Sequence, residues 1–134
     1  MMPVLVDTDV LIWYFRGNQN AVERLNQISD LAISSITYLE LLQGVRNRAE
    51  MLALQKSLSL RSAVQLPVTP QITQRAASLM EALTLSHGLQ LGDALIAATA
   101  LEHSLPLLTG NVKHFSAIDG LNIDKFEPNQ NAMN

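Results

Sequence analysis

Three carboxylates stand where carboxylates are out of place. Asp7 closes the apolar run Pro3-Val-Leu-Val6, Glu40 sits inside Tyr38-Leu-Glu-Leu-Leu42, and Asp93 opens the apolar stretch Asp93-Ala-Leu-Ile-Ala-Ala98. Carboxylates are seldom buried unless they are paired, hydrogen-bonded or bound to a metal. Each has an ordinary explanation as a helix cap, worth about 1 kcal/mol. Asp7 or Thr8 would cap a first helix, Glu40 would complete a capping box begun by Thr37, and Asp93 would cap its own helix. Together they ask for more. Like charges about 5 Å apart repel by about 3 kcal/mol per pair at an effective dielectric of about 20. Such a cluster either raises its own pKa values or holds a cation. The chain has no cysteine, so oxygen ligands point to Mg²⁺ or Mn²⁺. A carboxylate-held Mg²⁺ serves mainly phosphoryl chemistry.

The elements that must bring these residues together follow from hydrophobic period and from Gly, Pro and cap signals. Pro3–Val6 reads as a buried strand, Val10–Phe15 as a short helix apolar all round and closed by Arg16-Gly17, and Ala21–Ile28 as a helix. Leu31–Ile36 is a second strand, Thr37–Val45 a helix with Thr37 and Glu40 in capping-box register, and Ala49–Leu60 a further helix. Val64–Leu66 is a third strand. Thr69-Pro70 supplies an N-cap with Pro at N1, and Gly88 the stop of the helix between them. Leu91–His103 is a buried helix, Leu105–Thr109 a fourth strand and Leu121–Phe126 a short fifth. Strands alternating with helices imply one α/β domain, residues 1–126, with a parallel sheet of four to five strands covered on both faces. The polar stretch 127–134 reads as a flexible tail. In an open parallel sheet Asp7, Glu40 and Asp93 all fall at the carboxyl edge, where ligands bind.

Composition narrows the function classes. Of 134 residues, 48% are apolar and 16% charged, which is inconsistent with intrinsic disorder. The absence of cysteine excludes disulfide frameworks, Cys-based zinc sites and thiol nucleophiles. No apolar run approaches the roughly 20 residues that span a bilayer. Asp7 and Asp9 interrupt any secretory h-region, so a cytoplasmic location is expected. The formal charge of −3 argues against a strong nonspecific nucleic-acid binder but leaves room for local contact with a phosphodiester.

Four stretches, in this order and spacing, resemble the PIN-domain nucleases, and among them the VapC-type toxins of type II toxin–antitoxin systems. They are Val4-Leu-Val-Asp-Thr-Asp-Val-Leu-Ile12, Ser34-Ser-Ile-Thr-Tyr-Leu-Glu-Leu-Leu-Gln-Gly44, Asp93-Ala-Leu-Ile-Ala-Ala-Thr-Ala100 with Leu101-Glu-His103, and Leu107-Leu-Thr-Gly-Asn-Val-Lys-His-Phe115. The resemblance implies a PIN-like, Rossmann-like domain in which Asp7, Glu40 and Asp93 are the invariant acids and hold one or two Mg²⁺ ions (Mn²⁺ as the substitute). Asn111 takes a fourth position, acidic or amide in many members. Asp9 stands where Asn or Ser is frequent, as a helper through water or a helix cap. Gly110 departs from the commoner Arg or Ser, which leaves any basic contact at that point to Lys113 or another residue. The implied activity is metal-dependent endoribonuclease cleavage of RNA, leaving a 5′-phosphate and a 3′-hydroxyl. The implied partners are a homodimer mate and a small antitoxin, and the apolar faces of residues 37–60 are compatible with an interface.

Arg16, Arg46, Arg48 and Lys113 lie nearest the motifs as phosphate contacts, each equally well read as a solvated helix end. His87, His103 and His114 lack metal-ligand spacing and read as surface or helix-end residues. Two rivals remain at this level. Asp7-Thr-Asp9 after a strand also opens haloacid-dehalogenase-type phosphatases, although Glu40 would then have no role and the chain is short for that fold. The other is a catalytically silent PIN-like module that binds RNA or protein.

Overall fold

The computed structural model describes residues 3–129. Five short strands form one parallel sheet in the order β3-β2-β1-β4-β5. They are β1 (Val4–Val6), β2 (Leu31–Ser34), β3 (Val64–Leu66), β4 (Leu107–Thr109) and β5 (Ile123–Lys125). Between them run α1 (Thr8–Phe15), α2 (Gln19–Asn26), α3 (Ser35–Gly44), α4 (Arg48–Leu60), α5 (Pro70–His87), α6 (Leu91–His103) and α7 (Val112–Phe115).

Alternation along the strands feeds two cores, one on each face of the sheet. Leu5, Ala32 and Leu107 pack with Ile72 and Ala76 of α5 and with the apolar length of α6. Val6, Leu31, Ile33 and Leu108 pack on the opposite face with Val10, Leu25, Leu41 and Leu54 of α1 to α4. Burial on both faces is what a parallel sheet with crossover helices requires. Four alanines in α6, Ala94, Ala97, Ala98 and Ala100, keep that helix slim, and all four are buried. The chain leaves β1 towards β2 on one side, and β4 adds on the other. That reversal opens a crevice at the carboxyl ends of β1 and β4, where ligands bind in open α/β sheets.

Local signals set several boundaries. Thr69 accepts from Ile72 N at 3.1 Å, Pro70 follows at the first helical position, and Gly88 closes α5 in the left-handed region at φ 66°. Other expectations change. The second strand stops at Ser34 instead of Ile36, because the Ser34 hydroxyl accepts from Ile36 N and caps α3. Thr37 therefore lies inside the helix, fully buried, and the Thr37–Glu40 capping box does not form. In α1, Ile12 and Phe15 remain exposed, so that helix is less enclosed than its all-apolar sequence suggests. Helix α7 lacked a sequence signal. At four residues it is too short to display a period. Of the expected tail, the Pro128 carbonyl accepts from Asn18 and Asn20, and residues 130–134 lie outside the described residues.

Candidate active site

Asp7 sits at the last turn of chain before α1, with its N–H donated to Leu108 O at 2.9 Å, so it is stitched to β4. Its side chain is 4% exposed. Oδ1 accepts from Thr8 N at 2.8 Å and Oδ2 accepts from the Thr109 hydroxyl at 2.7 Å. Asp7 is thus the N-cap of α1, as the cap explanation held, but it is also sealed against the neighbouring strand. Asp9 enters from the first turn of α1. Its Oδ2 accepts from Gly110 N at 3.0 Å, and its Oδ1 is buried without a hydrogen-bond partner. The glycine leaves room for that carboxylate: a Cβ at position 110 would lie 2.7 Å from Asp9 Oδ2, so a larger residue there would displace the Asp9 side chain.

Thr8 joins the second acid to the first. Its N–H serves Asp7 while its hydroxyl donates to Glu40 Oε1 at 2.5 Å and lies 3.0 Å from the Thr37 hydroxyl. The other Glu40 oxygen faces the start of α6, where a Cβ on Gly92 would come within 2.9 Å of Oε2. Asp93 follows one residue later, half-buried in the first turn. The N-cap of α6 is Gln90, without a side-chain bond, so Asp93 does not cap its helix. Asp93 Oδ2 lies 3.2 Å from His114 Nδ1.

The electrostatics bind these residues into one site. Burial first, then the charge of Asp9, pushes Asp7 up from 3.8 to about 7, and the bonds from Thr109 and Thr8 only partly oppose this. Burial also raises Asp9, opposed by its contact with Asp7 and by Gly110 N. Asp93 is raised by burial. The His114 imidazole opposes that shift, and the charges of Asp7 and Glu40 reinforce it. Among the described residues no Lys or Arg pairs with Asp7, Asp9, Glu40 or Asp93.

Asn111 is placed less centrally. It precedes α7, is exposed, makes no side-chain cap bond, and donates its backbone N–H to the Thr109 hydroxyl. Asp9 occupies the interior position beneath Gly110 instead. Arg46 is engaged by Glu50 at 2.6 Å, while Arg16, Arg48 and Lys113 are exposed and make no ion pair among the described residues. Two residues at the site escaped the sequence reading. Thr8 was weighed only as a cap, and His114 was read as a surface residue. The available signal for His114 was its place three residues beyond Asn111, just past the carboxyl edge of β4.

A divalent cation fits this donor set. A buried carboxylate beside a half-buried one, an unpartnered Asp9 oxygen and, among the described residues, the lack of a pairing Lys or Arg form an environment that a hard cation neutralises. No three His, Asp or Glu side chains among the described residues converge as a ready-made cage. Mg²⁺ does not need one, since it is usually held through one or two carboxylates and keeps several waters.

The PIN domain family matches residues 4–121, and the chain belongs to it. Two relatives are of VapC type. Ribonuclease VapC10 of Mycobacterium tuberculosis is 39% identical over 124 residues, covering 88% of this chain and 90% of the relative. Ribonuclease VapC19 of the same organism is 36% identical over 116 residues, covering 83% and 90%. A toxin–antitoxin complex from Klebsiella pneumoniae contains a chain of 31% identity and TM-score 0.77, matched over 94% of this chain and 98% of that one. Family membership displaces the haloacid-dehalogenase reading, and Glu40, which had no role there, sits beside Thr8 and Gly92 in the acidic crevice.

Proposed function

We propose that the chain is a Mg²⁺-dependent endoribonuclease, with Mn²⁺ as a substitute, acting as the toxin of a toxin–antitoxin pair. The observation that carries this reading is buried Asp7 packed against half-buried Asp9 beside Glu40 and Asp93, with no Lys or Arg pairing with them among the described residues. Relatives named as ribonucleases support the substrate class, and the Klebsiella complex supports the antitoxin partner.

Asp7, Glu40 and Asp93 would hold the cation, with Asp9 completing the negative pocket and Asn111 at its rim. A bound Mg²⁺ supplies charge neutralisation at the phosphate and a nucleophile at neutral pH. The protein's own part is positional. Thr109 and Thr8 N fix both oxygens of Asp7, the Thr8 hydroxyl fixes Glu40, and β1 and β4 hold these bonds at the crevice. Lys113, exposed on α7 next to His114, is available as a cation for an RNA phosphate.

We assign the chain to the cytoplasm with its RNA substrate. No helix of the described residues is long and apolar enough to cross a membrane. We also propose a homodimer through α3 and α4, where Leu39 and Leu52 are 56% and 50% exposed.

The test is cleavage of tRNA, ribosomal and messenger RNA substrates with Mg²⁺, with EDTA, and by Asp7→Asn. Mg²⁺-dependent cleavage lost in the variant is expected. Cleavage that survives both EDTA and Asp7→Asn would overturn the assignment, and no cleavage of any RNA would favour the silent binding module.

A further inference from the structure

We infer that His114 is a positioning residue that holds Asp93 in the crevice for the cation. This inference rests on the metal-site reading above. Each acid of the site is met by a group from a different element. Thr109 of β4 meets Asp7, Thr8 of α1 meets Glu40, and His114 of α7 meets Asp93. Among the described residues His114 is the only side chain within hydrogen-bonding distance of the Asp93 carboxylate.

Asp93 has an alternative. It occupies the first turn of α6, where backbone N–H groups are unpaired and the Gln90 cap supplies no side-chain bond. A carboxylate at that position can turn back onto the helix N-terminus, as in a capping box. The imidazole competes with that conformation and keeps Oδ2 on the crevice side. It can do so because α7 is anchored beside it. Phe115 is fully buried in the core, and His114 N donates to Asn111 O at 2.9 Å. Groups that orient a metal-binding side chain commonly change metal affinity by about 10–100-fold when removed.

The experiment is a Mn²⁺ titration of the whole chain, read by loss of the electron paramagnetic resonance signal of free Mn²⁺. His114→Leu is expected to weaken Mn²⁺ binding by about 10–100-fold, with the melting temperature of the metal-free protein unchanged because the ring is half exposed. His114→Asn places an amide donor where Nδ1 stood and is expected to bind Mn²⁺ like the parent. His114→Gln places it further out and is expected to resemble His114→Leu, which keeps the test intact should His114→Leu fail to fold. Raised Mn²⁺ is expected to recover RNA cleavage by His114→Leu.

Unchanged Mn²⁺ affinity in His114→Leu, equal behaviour of the Asn and Gln variants, or a cleavage defect that Mn²⁺ does not recover would each overturn the inference. Asp93→Asn separates the two levels: if it too binds Mn²⁺ like the parent, the metal-site reading fails, and His114 loses its role with it.

Discussion

Acidic residues in two regions of this chain meet opposite treatment. Away from the crevice, four carboxylates are matched by Arg or Lys among the described residues. Asp124 pairs with Arg24, Glu102 with Arg75, Glu50 with Arg46 and Glu127 with Lys125, all at least partly exposed. At the carboxyl edge of β1 and β4, Asp7 and Asp9 are packed together, largely enclosed, and served only by hydroxyls and backbone N–H groups. The outer pairs contribute little and cost little. The inner pair carries an unrelieved desolvation cost that a fold selected for stability alone would remove. That difference is the basis of the proposed site.

The largest break in this contrast is Asp7→Asn. On the proposed metal site, removing the Asp7 carboxylate should lower RNA cleavage by at least about 100-fold, the upper range for residues that merely support a ligand. The same substitution should change the pH dependence of the metal-free protein. Asp7 titrates at about 7 when folded against an ordinary 3.8, so the native state binds the extra proton across that window. The contribution of protonated Asp7 is fully present below about 4 and is lost as pH rises through about 7. Denaturant titrations between those limits should show the parent losing stability relative to Asp7→Asn as pH increases. A flat difference would remove the burial argument.

Gly110→Ala probes the contact beneath the crevice. The added Cβ collides with Asp9 Oδ2, and overpacking of this kind costs about 1–3 kcal/mol. Asp9→Ala in the same chain should relieve most of that cost, so the two changes should be strongly non-additive in a double-mutant cycle of unfolding free energies. The smallest effect belongs to the periphery. Glu102→Ala should cost about 0.2–1 kcal/mol, as exposed pairs do, and leave Mg²⁺ affinity as it was. A peripheral loss as large as that at Gly110 would erase the distinction between the regions.

Much of this was legible in the chain itself. The bounds of α6 at Leu91 and His103, the Thr69-Pro70 start and Gly88 stop of α5, and the alternation of strands and helices all follow from local rules about period, caps and backbone freedom. The Thr37–Glu40 register misled. Ser34, which ends a central strand paired on both sides, was already committed to the cap.

Asp7, Glu40 and Asp93 could be nominated from sequence because a carboxylate beside an apolar run violates the pattern around it. Local spacing carries that much, and the structure buries Asp7 and half-buries Asp93, while Glu40 lies exposed despite its apolar neighbours. What those acids touch is a matter of contacts between residues far apart in sequence. Thr109 reaches Asp7 across 102 positions, Gly110 reaches Asp9 across 101, and Thr8 reaches Glu40 across 32. Only the order β3-β2-β1-β4-β5, with its reversal beside β1, brings those segments to one edge. The packing of Asp9 against Gly110, the exposed place of Asn111 and the meeting of His114 with Asp93 were therefore tertiary decisions, made by sheet topology and the space left beside a glycine.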